Sequence, residues 1–251
     1  MELFDELKAQ IDGKNIRIVL PEGTEPRVLG AAARLQKEGI LVPVLLGQPE
    51  AIKSVALENN FDIDGIEIID MDNYPEFDDM VAAFVERRKG KVNDEEARKI
   101  LKDANFFGTM LTYMDKVDGM VSGAVHSTAD TVRPALQIVK TRPGVPRTSG
   151  SFLMLRGETR YLFADCAINI ELDAEGLAGV AVESARMAKI FGIDPKVAML
   201  SLSTKGSAKH DLITKVQDAT RMAKELAPDM VIDGELQFDA AVSETVAKQK
   251  A

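Results

Sequence analysis

The sequence predicts an α/β protein of two domains, and three observations predict it. Short β-branched runs alternate with apolar-periodic helical stretches, the pattern of βαβ units and a mostly parallel sheet. The chain has 251 residues, against roughly 150 for an average domain. A Pro- and Gly-rich stretch, Thr141 to Gly150, then interrupts the alternation and changes its style. It divides a first domain, 1–141, from a second, 142–251.

The first run, Asn15-Ile-Arg-Ile-Val-Leu20, stops at Pro21-Glu-Gly-Thr-Glu-Pro26, and a helical period from Val28 to Leu35 follows. The unit recurs as Leu41 to Leu46 with a helix from Glu50 to Glu58, and as Ile66 to Ile69 with a helix from Pro75 to Arg88. Helical stretches at Asp94 to Leu101 and Phe106 to Met114 lead to a strand, Asp118 to Ser122. After the linker, Phe152 to Arg156 and Tyr161 to Ala164 read as an antiparallel hairpin joined by Gly157-Glu-Thr-Arg160. The alternation returns with a helix at Asp173 to Phe191, a strand at Val197 to Leu202 and a helix at Asp211 to Leu226. A strand at Met230 to Ile232 and a helix near Ala240 to Lys248 complete the order.

Composition narrows the function. Hydrophobic residues make up 45% and charged ones 28%, which is ordinary globular usage and excludes a disordered or disulfide-stapled chain. A net charge of −9 opposes non-specific attraction to nucleic acid or anionic lipid, so an anionic substrate would need local positive charge to collect it. The single cysteine, Cys166, makes no internal disulfide, and no Cys/His cluster has zinc spacing. The N-terminal Met1 to Lys8 is acidic and amphipathic, without the parts of a signal peptide, and no stretch reaches the roughly 20 apolar residues of a membrane helix. A cytoplasmic protein is expected, with neither nucleic acid nor membrane as partner.

In open α/β sheets ligands sit at the carboxyl ends of strands, and two loops there are unusually polar. Val121 to Pro134 offers small residues, the hydroxyls of Ser122, Ser127, Thr128 and Thr131, and the guanidinium of Arg133. Hydroxyls and helix N-terminal N–H groups donate to oxyanions and Arg matches phosphate bidentately, so this reads as an anion pocket. The same hydroxyls also suit helix caps, and Pro134 suits a helix start. Ser201 to His210 carries hydroxyls and two lysines without the spacing of a phosphate-binding P-loop, and stands open between ligand contact and solvated cap.

Two further features stay undecided on their residues alone, and a third reads as structural. Val85-Glu-Arg-Arg-Lys-Gly-Lys91 gathers four basic residues where a helix dipole favours them anyway, or where a polyanion would be anchored. Asp233, Glu235 and Asp239 follow a strand with spacing that suits acid/base, metal or structural roles. Cys166 reads as an inert core thiol and Asp165 beside it as a loop anchor.

Four long motifs in order resemble phosphate acetyltransferase (phosphotransacetylase) of the bacterial type: Ser122 to Thr141, Phe163 to Asn169, Val197 to Ala208 and Asp233 to Ala241. The likeness runs from the first strand to the last residue. It implies a fold similar to that of the isocitrate and isopropylmalate dehydrogenases, two α/β domains with the active site in the cleft between them, usually as a homodimer. It implies interconversion of acetyl-CoA plus phosphate with acetyl phosphate plus coenzyme A, by direct thiolate attack on the acetyl carbonyl. No metal and no cofactor are required, coenzyme A being a substrate.

On this resemblance Arg133 is the catalytic arginine that holds acetyl phosphate, and Ser122, Ser127, Thr128 and Thr131 line the phosphate site. Arg87, with Arg88 as its neighbour in the alignment, is associated with CoA, and Ser203, Thr204 and Lys205 bind substrate. In the family the chain continues past a position like Ala251 into a segment with a Ser-Arg pair and an aspartate proposed as the base for the CoA thiol. That segment is expected to be missing here, leaving both domains incomplete. A positioned base is worth about 10²–10⁴ in rate. The alternatives are a phosphate butyryltransferase-like enzyme, separated by its acyl range, and a non-catalytic fragment that binds CoA or phosphate.

Overall fold

The computed structural model describes residues 3–145 and 147–251; Met1, Glu2 and Pro146, in the N-terminal stretch and the Pro/Gly loop, lie outside the described residues. The chain divides into two compact units, Met1–Lys140 and Thr141–Ala251.

The first unit holds α1 (Leu3–Ile11), β1 (Arg17–Leu20), α2 (Pro26–Lys37), β2 (Val42–Leu46), α3 (Pro49–Glu58) and β3 (Glu67–Ile69). After a 3₁₀ turn at Met71–Asn73 come α4 (Phe77–Arg88), α5 (Asp94–Ile100), α6 (Ala104–Tyr113), β4 (Gly119–Met120) and α7 (Thr128–Ile138). Four parallel strands run in the order β3-β2-β1-β4, with Val19 opposite Val44 and Ile18 opposite Gly119. Alternation decides which face each residue buries. Val44 and Leu46 turn to a core shared with Met80, Phe84, Phe107, Met110 and Ile138, whereas Leu45 turns to one shared with Leu29, Ala32 and Ile52. Both faces of the sheet are therefore covered, which is why β2 reads as an unbroken apolar run.

Helix starts follow local chemistry. Pro26 and Pro49 occupy first turns, where a missing N–H costs nothing. Asn93 and Glu96 form a reciprocal capping box, and the Asp103 carboxylate accepts from Asn105 and Phe106. Helix α1 has no counterpart in the sequence reading, and β4 is shorter than expected because only Gly119 and Met120 pair with β1.

The second unit holds the hairpin β5 (Ser151–Arg156) and β6 (Thr159–Ala164), then α8 (Ala174–Ile190), β7 (Lys196–Leu200), α9 (Asp211–Leu226) and β8 (Val231–Leu236). The hairpin pairs Phe152 with Phe163 and turns through Gly157, whose φ of +57° suits glycine. Strands β7 and β8 are parallel, and α8 and α9 pack near them through Ala178, Ala181, Ala219 and Ala223. Strand β8 runs to Leu236, so Asp233 and Glu235 lie within it and not after it. The expected last helix is two, α10 (Phe238–Val242) and α11 (Glu244–Lys250), parted at Ser243, which caps the second. Among the described residues no helix is long and apolar enough to cross a membrane.

Gly23, in the β1–α2 connection, lies so close to β2 that a Cβ there would collide with the Leu46 carbonyl oxygen and come within 2.9 Å of Ile52 Cδ1. Gly23→Ala is expected to cost about 1–3 kcal/mol through overpacking, read as a lower denaturant midpoint with an unchanged slope.

Candidate functional site

The site in the first unit is built where the β1–α2 loop meets the β4–α7 loop. Glu22, at the carboxyl end of β1, is 6% exposed. Its carboxylate accepts four successive backbone N–H groups, from Gly123 at 3.1 Å, Ala124 at 2.8 Å, Val125 at 2.8 Å and His126 at 3.1 Å. His126 Nδ1 makes a fifth contact at 2.7 Å. Burial alone would raise this carboxyl's pKa; the N–H groups of Val125 and Ala124, with His126, overcome it and bring it from 4.5 down to about 2. Arg27, which also pairs with Glu25, donates to the Ala124 carbonyl at 2.9 Å and grips the loop from its other side. Gly123 takes φ +109° in this loop, a conformation that suits glycine.

The N–H groups of 123–126 thus already hold an anion, one that belongs to the chain. Several of the hydroxyls are engaged as well. Ser122 donates to Asn105 Oδ1 at 2.6 Å, and the buried Asn105 keeps an unpartnered Nδ2. Ser127 is the N-cap of α7, accepting from the Asp130 N–H at 3.2 Å and donating to Asp130 Oδ2 at 2.6 Å. Thr131 Oγ1 donates back to the Ser127 carbonyl at 3.1 Å. Thr128, exposed in the first turn of α7, has no side-chain partner among the described residues. Arg133 is exposed, its closest ionic neighbour being Asp130 Oδ1 at 3.8 Å. Pro134 does not mark the start of α7; it lies inside the helix and is buried, and lacks the N–H that would bond the Asp130 carbonyl.

Arg87 is held at the far ends of α4 and α7. Its Nε donates to the Ile138 carbonyl, its Nη2 to the Val139 carbonyl at 2.9 Å, and its guanidinium carbon stands 5.1 Å from the Tyr113 ring centroid. The basic run around it is a true concentration of charge. Repulsion from Arg87, then loss of water around the ammonium, then repulsion from Lys89, Arg88 and Lys91 lower the pKa of Lys140.

In the second unit a buried carboxylate again organises a polar loop. Glu235 accepts from Ser203 Oγ at 3.1 Å and from the Gly206 N–H at 2.6 Å. Thr204 Oγ1 accepts from the Gln237 N–H at 2.9 Å, and Lys205 Nζ pairs with Asp233 at 2.6 Å. Ser203 and Thr204 are buried, so their hydroxyls serve the loop. His210 caps α9 through Nδ1 and Asp239 pairs with Lys250. Asp165 accepts the N–H groups of Gly150, Ala167, Ile168 and Asn169 and the Asn169 amide. Against the cost of burial, these bonds hold it well below the usual carboxylate range. Cys166 follows β6 and is only partly buried, so it is not the core thiol the sequence suggests.

Sequence reasoning missed Glu22, His126 and Asn105; the only local signal was an acid placed directly after the Pro21 that ends β1. A carboxyl whose pKa is lower in the folded state stabilises the fold above its unfolded pKa and loses that effect as pH falls through the folded value. Glu22→Gln is therefore expected to cost about 3 kcal/mol at pH 7. The gap to the unsubstituted chain should narrow between pH 4.5 and pH 2. Chemical unfolding of both chains across that range measures it, and a gap independent of pH would contradict the assignment.

Comparison with known proteins bears on the whole chain. The family model described as phosphate acetyl/butaryl transferase matches residues 2–251. The chain is 56% identical over 255 residues to a phosphate acetyltransferase of Staphylococcus epidermidis, covering 100% of this chain and 78% of that protein. It is 54% identical over 250 residues to the phosphate acetyltransferase of Bacillus subtilis, covering 100% and 77%. A phosphotransacetylase structure from Streptococcus pyogenes superposes with a TM-score of 0.95 at 55% identity, covering 99% of this chain and 76% of that one. The EutD phosphotransacetylase from Staphylococcus aureus gives 0.93 at 54%, covering 99% and 77%. With a match along its full length, the chain belongs to the phosphate acetyl/butaryl transferase family.

Proposed function

We propose that the chain moves an acetyl group between coenzyme A and inorganic phosphate, interconverting acetyl-CoA plus phosphate with acetyl phosphate plus CoA. The observation that carries this is the full-length match, at 54–56% identity, to proteins named phosphate acetyltransferase. When acetyl phosphate is consumed, the CoA thiol gives up its proton to solvent and the sulfur bonds to the acetyl carbon. The carbon–oxygen bond then breaks, and phosphate leaves with the electron pair.

The residues divide the work by charge. Arg133, exposed on α7, meets the phosphate oxygens, where negative charge grows as the bond breaks; a preorganised donor at such a place is worth about 3–4 kcal/mol. Thr128, in the first turn of the same helix, offers a hydroxyl with no side-chain partner among the described residues. Ser122, Ser127 and Thr131 shape the phosphate loop through their internal bonds, and Ser203, Thr204 and Lys205 do the same for the loop of the second unit. Arg87, with Arg88, Lys89, Lys91 and Lys140, supplies the positive charge that an acidic protein needs to gather the phosphates of CoA. Holding two reactants in line supplies a further 7–11 kcal/mol, roughly, by proximity.

CoA-dependent release of phosphate from acetyl phosphate by the 251-residue chain tests the reading. Arg133→Ala is expected to lower turnover by about 10²–10³ with an unchanged melting temperature. An unchanged rate removes Arg133 from the mechanism. Arg87→Ala is expected to raise the CoA concentration needed by about tenfold and, because the Ile138 and Val139 carbonyls lose their donor, to lower stability by about 1–3 kcal/mol. An effect confined to acetyl phosphate would contradict the CoA role.

A further inference from the structure

Glu22 and His126 form a pair that the reaction scheme leaves unused. A carboxylate offers about four acceptor positions, and the N–H groups of residues 123–126 occupy that many, two on each oxygen. The loop is therefore pinned by backbone alone, and any residue at position 126 would supply its share. The imidazole adds a third contact on Oε1, and what that contact fixes is the ring. With Nδ1 turned to the buried carboxylate, Nε2 lies on the ring's opposite edge. The side chain is 30% exposed. Nε2 has no partner among the described residues and is not among their buried, unsatisfied atoms, so this nitrogen is open to solvent. His126 also immediately precedes the cap of α7, the helix that carries Thr128 and Arg133.

We infer that His126 contacts the substrate at the acyl-phosphate site, donating from Nε2 to a phosphate oxygen, and that Glu22 is its positioning residue. The ring then bridges the chain's own carboxylate and the substrate's anion. A ring already oriented by its second nitrogen loses little freedom when phosphate arrives. The inference deepens the acetyltransferase reading and rests on it for the identity of the phosphate compound.

The test uses His126→Asn, whose amide reaches the place of Nδ1 and keeps a donor for Glu22 but leaves nothing at Nε2. Binding of inorganic phosphate, followed by ³¹P NMR titration, is measured beside the KM values for acetyl phosphate and CoA and the melting temperature. The expected result is phosphate binding and acetyl phosphate KM weakened about tenfold, with CoA KM within about twofold and melting unchanged. His126→Gln, which places an amide N–H near Nε2, should recover most of the phosphate affinity and serves as the second variant if the first does not fold. Unchanged phosphate affinity in His126→Asn overturns the inference, as does a loss shared equally by CoA and accompanied by lower melting, or a Gln variant as weak as the Asn one. If the unsubstituted chain binds phosphate but does not turn over, and His126→Asn binds it tenfold less well, the acetyltransferase reading fails while the His126 assignment stands. Absence of phosphate binding by the unsubstituted chain overturns the assignment.

Discussion

Both units depend on the same physical device, a carboxylate taken out of water and repaid in backbone N–H bonds. Glu22 and Glu235, both buried, and the half-buried Asp165 each sit where a polar loop would otherwise leave N–H groups without partners. Burying a charge without compensation would cost several kcal/mol, yet all three carboxyls have lowered pKa values, so the donors more than offset the loss of water. The loops are shaped by anions that are part of the chain.

This changes how the hydroxyl-rich motifs are understood. Ser122, Ser127, Thr131, Ser203 and Thr204 are all engaged within the protein, with Asn105, Asp130, the Ser127 carbonyl, Glu235 and Gln237. A motif of hydroxyls around a phosphate site therefore reflects, in large part, the construction of the loop. Among the described residues of these loops, the groups that remain available are the Thr128 hydroxyl, Arg133, the basic residues near Lys140 and the outer nitrogen of His126.

The fold was legible because its signals are local. The apolar run Leu41 to Leu46 contains a strand buried on both faces, and the helical periods read from Val28, Glu50 and Asp94 are helices that start at Pro26, at Pro49 and, behind the Asn93 cap, at Asp94. Elements failed to be read where local pattern was weak or shared. The break at Ser243 is a single polar residue inside an acceptable helical period, and the extension of β8 through Asp233 and Glu235 depends on partners in β7 and the following loop. The site was legible in residue type only. Glu22 finds Val125 at a separation of 103 residues, which no spacing rule reveals. Composition likewise does not tell a hydroxyl facing a ligand from one facing Glu235.

Arg87 shows what such internal bonding does to an arginine. A free arginine carries about 2 kcal/mol of rotamer entropy, lost when it is fixed on a ligand. Here Nε and one N–H of Nη2 are already bound to the end of α7, and the plane rests against Tyr113. Most of that disorder was removed when the chain folded, so it is charged against the stability of the protein and not against each binding event. Three N–H groups of the fork are left over in a plane already fixed, so an anion bound there would carry a smaller entropic penalty, and an affinity less sensitive to temperature, than one bound by a mobile lysine.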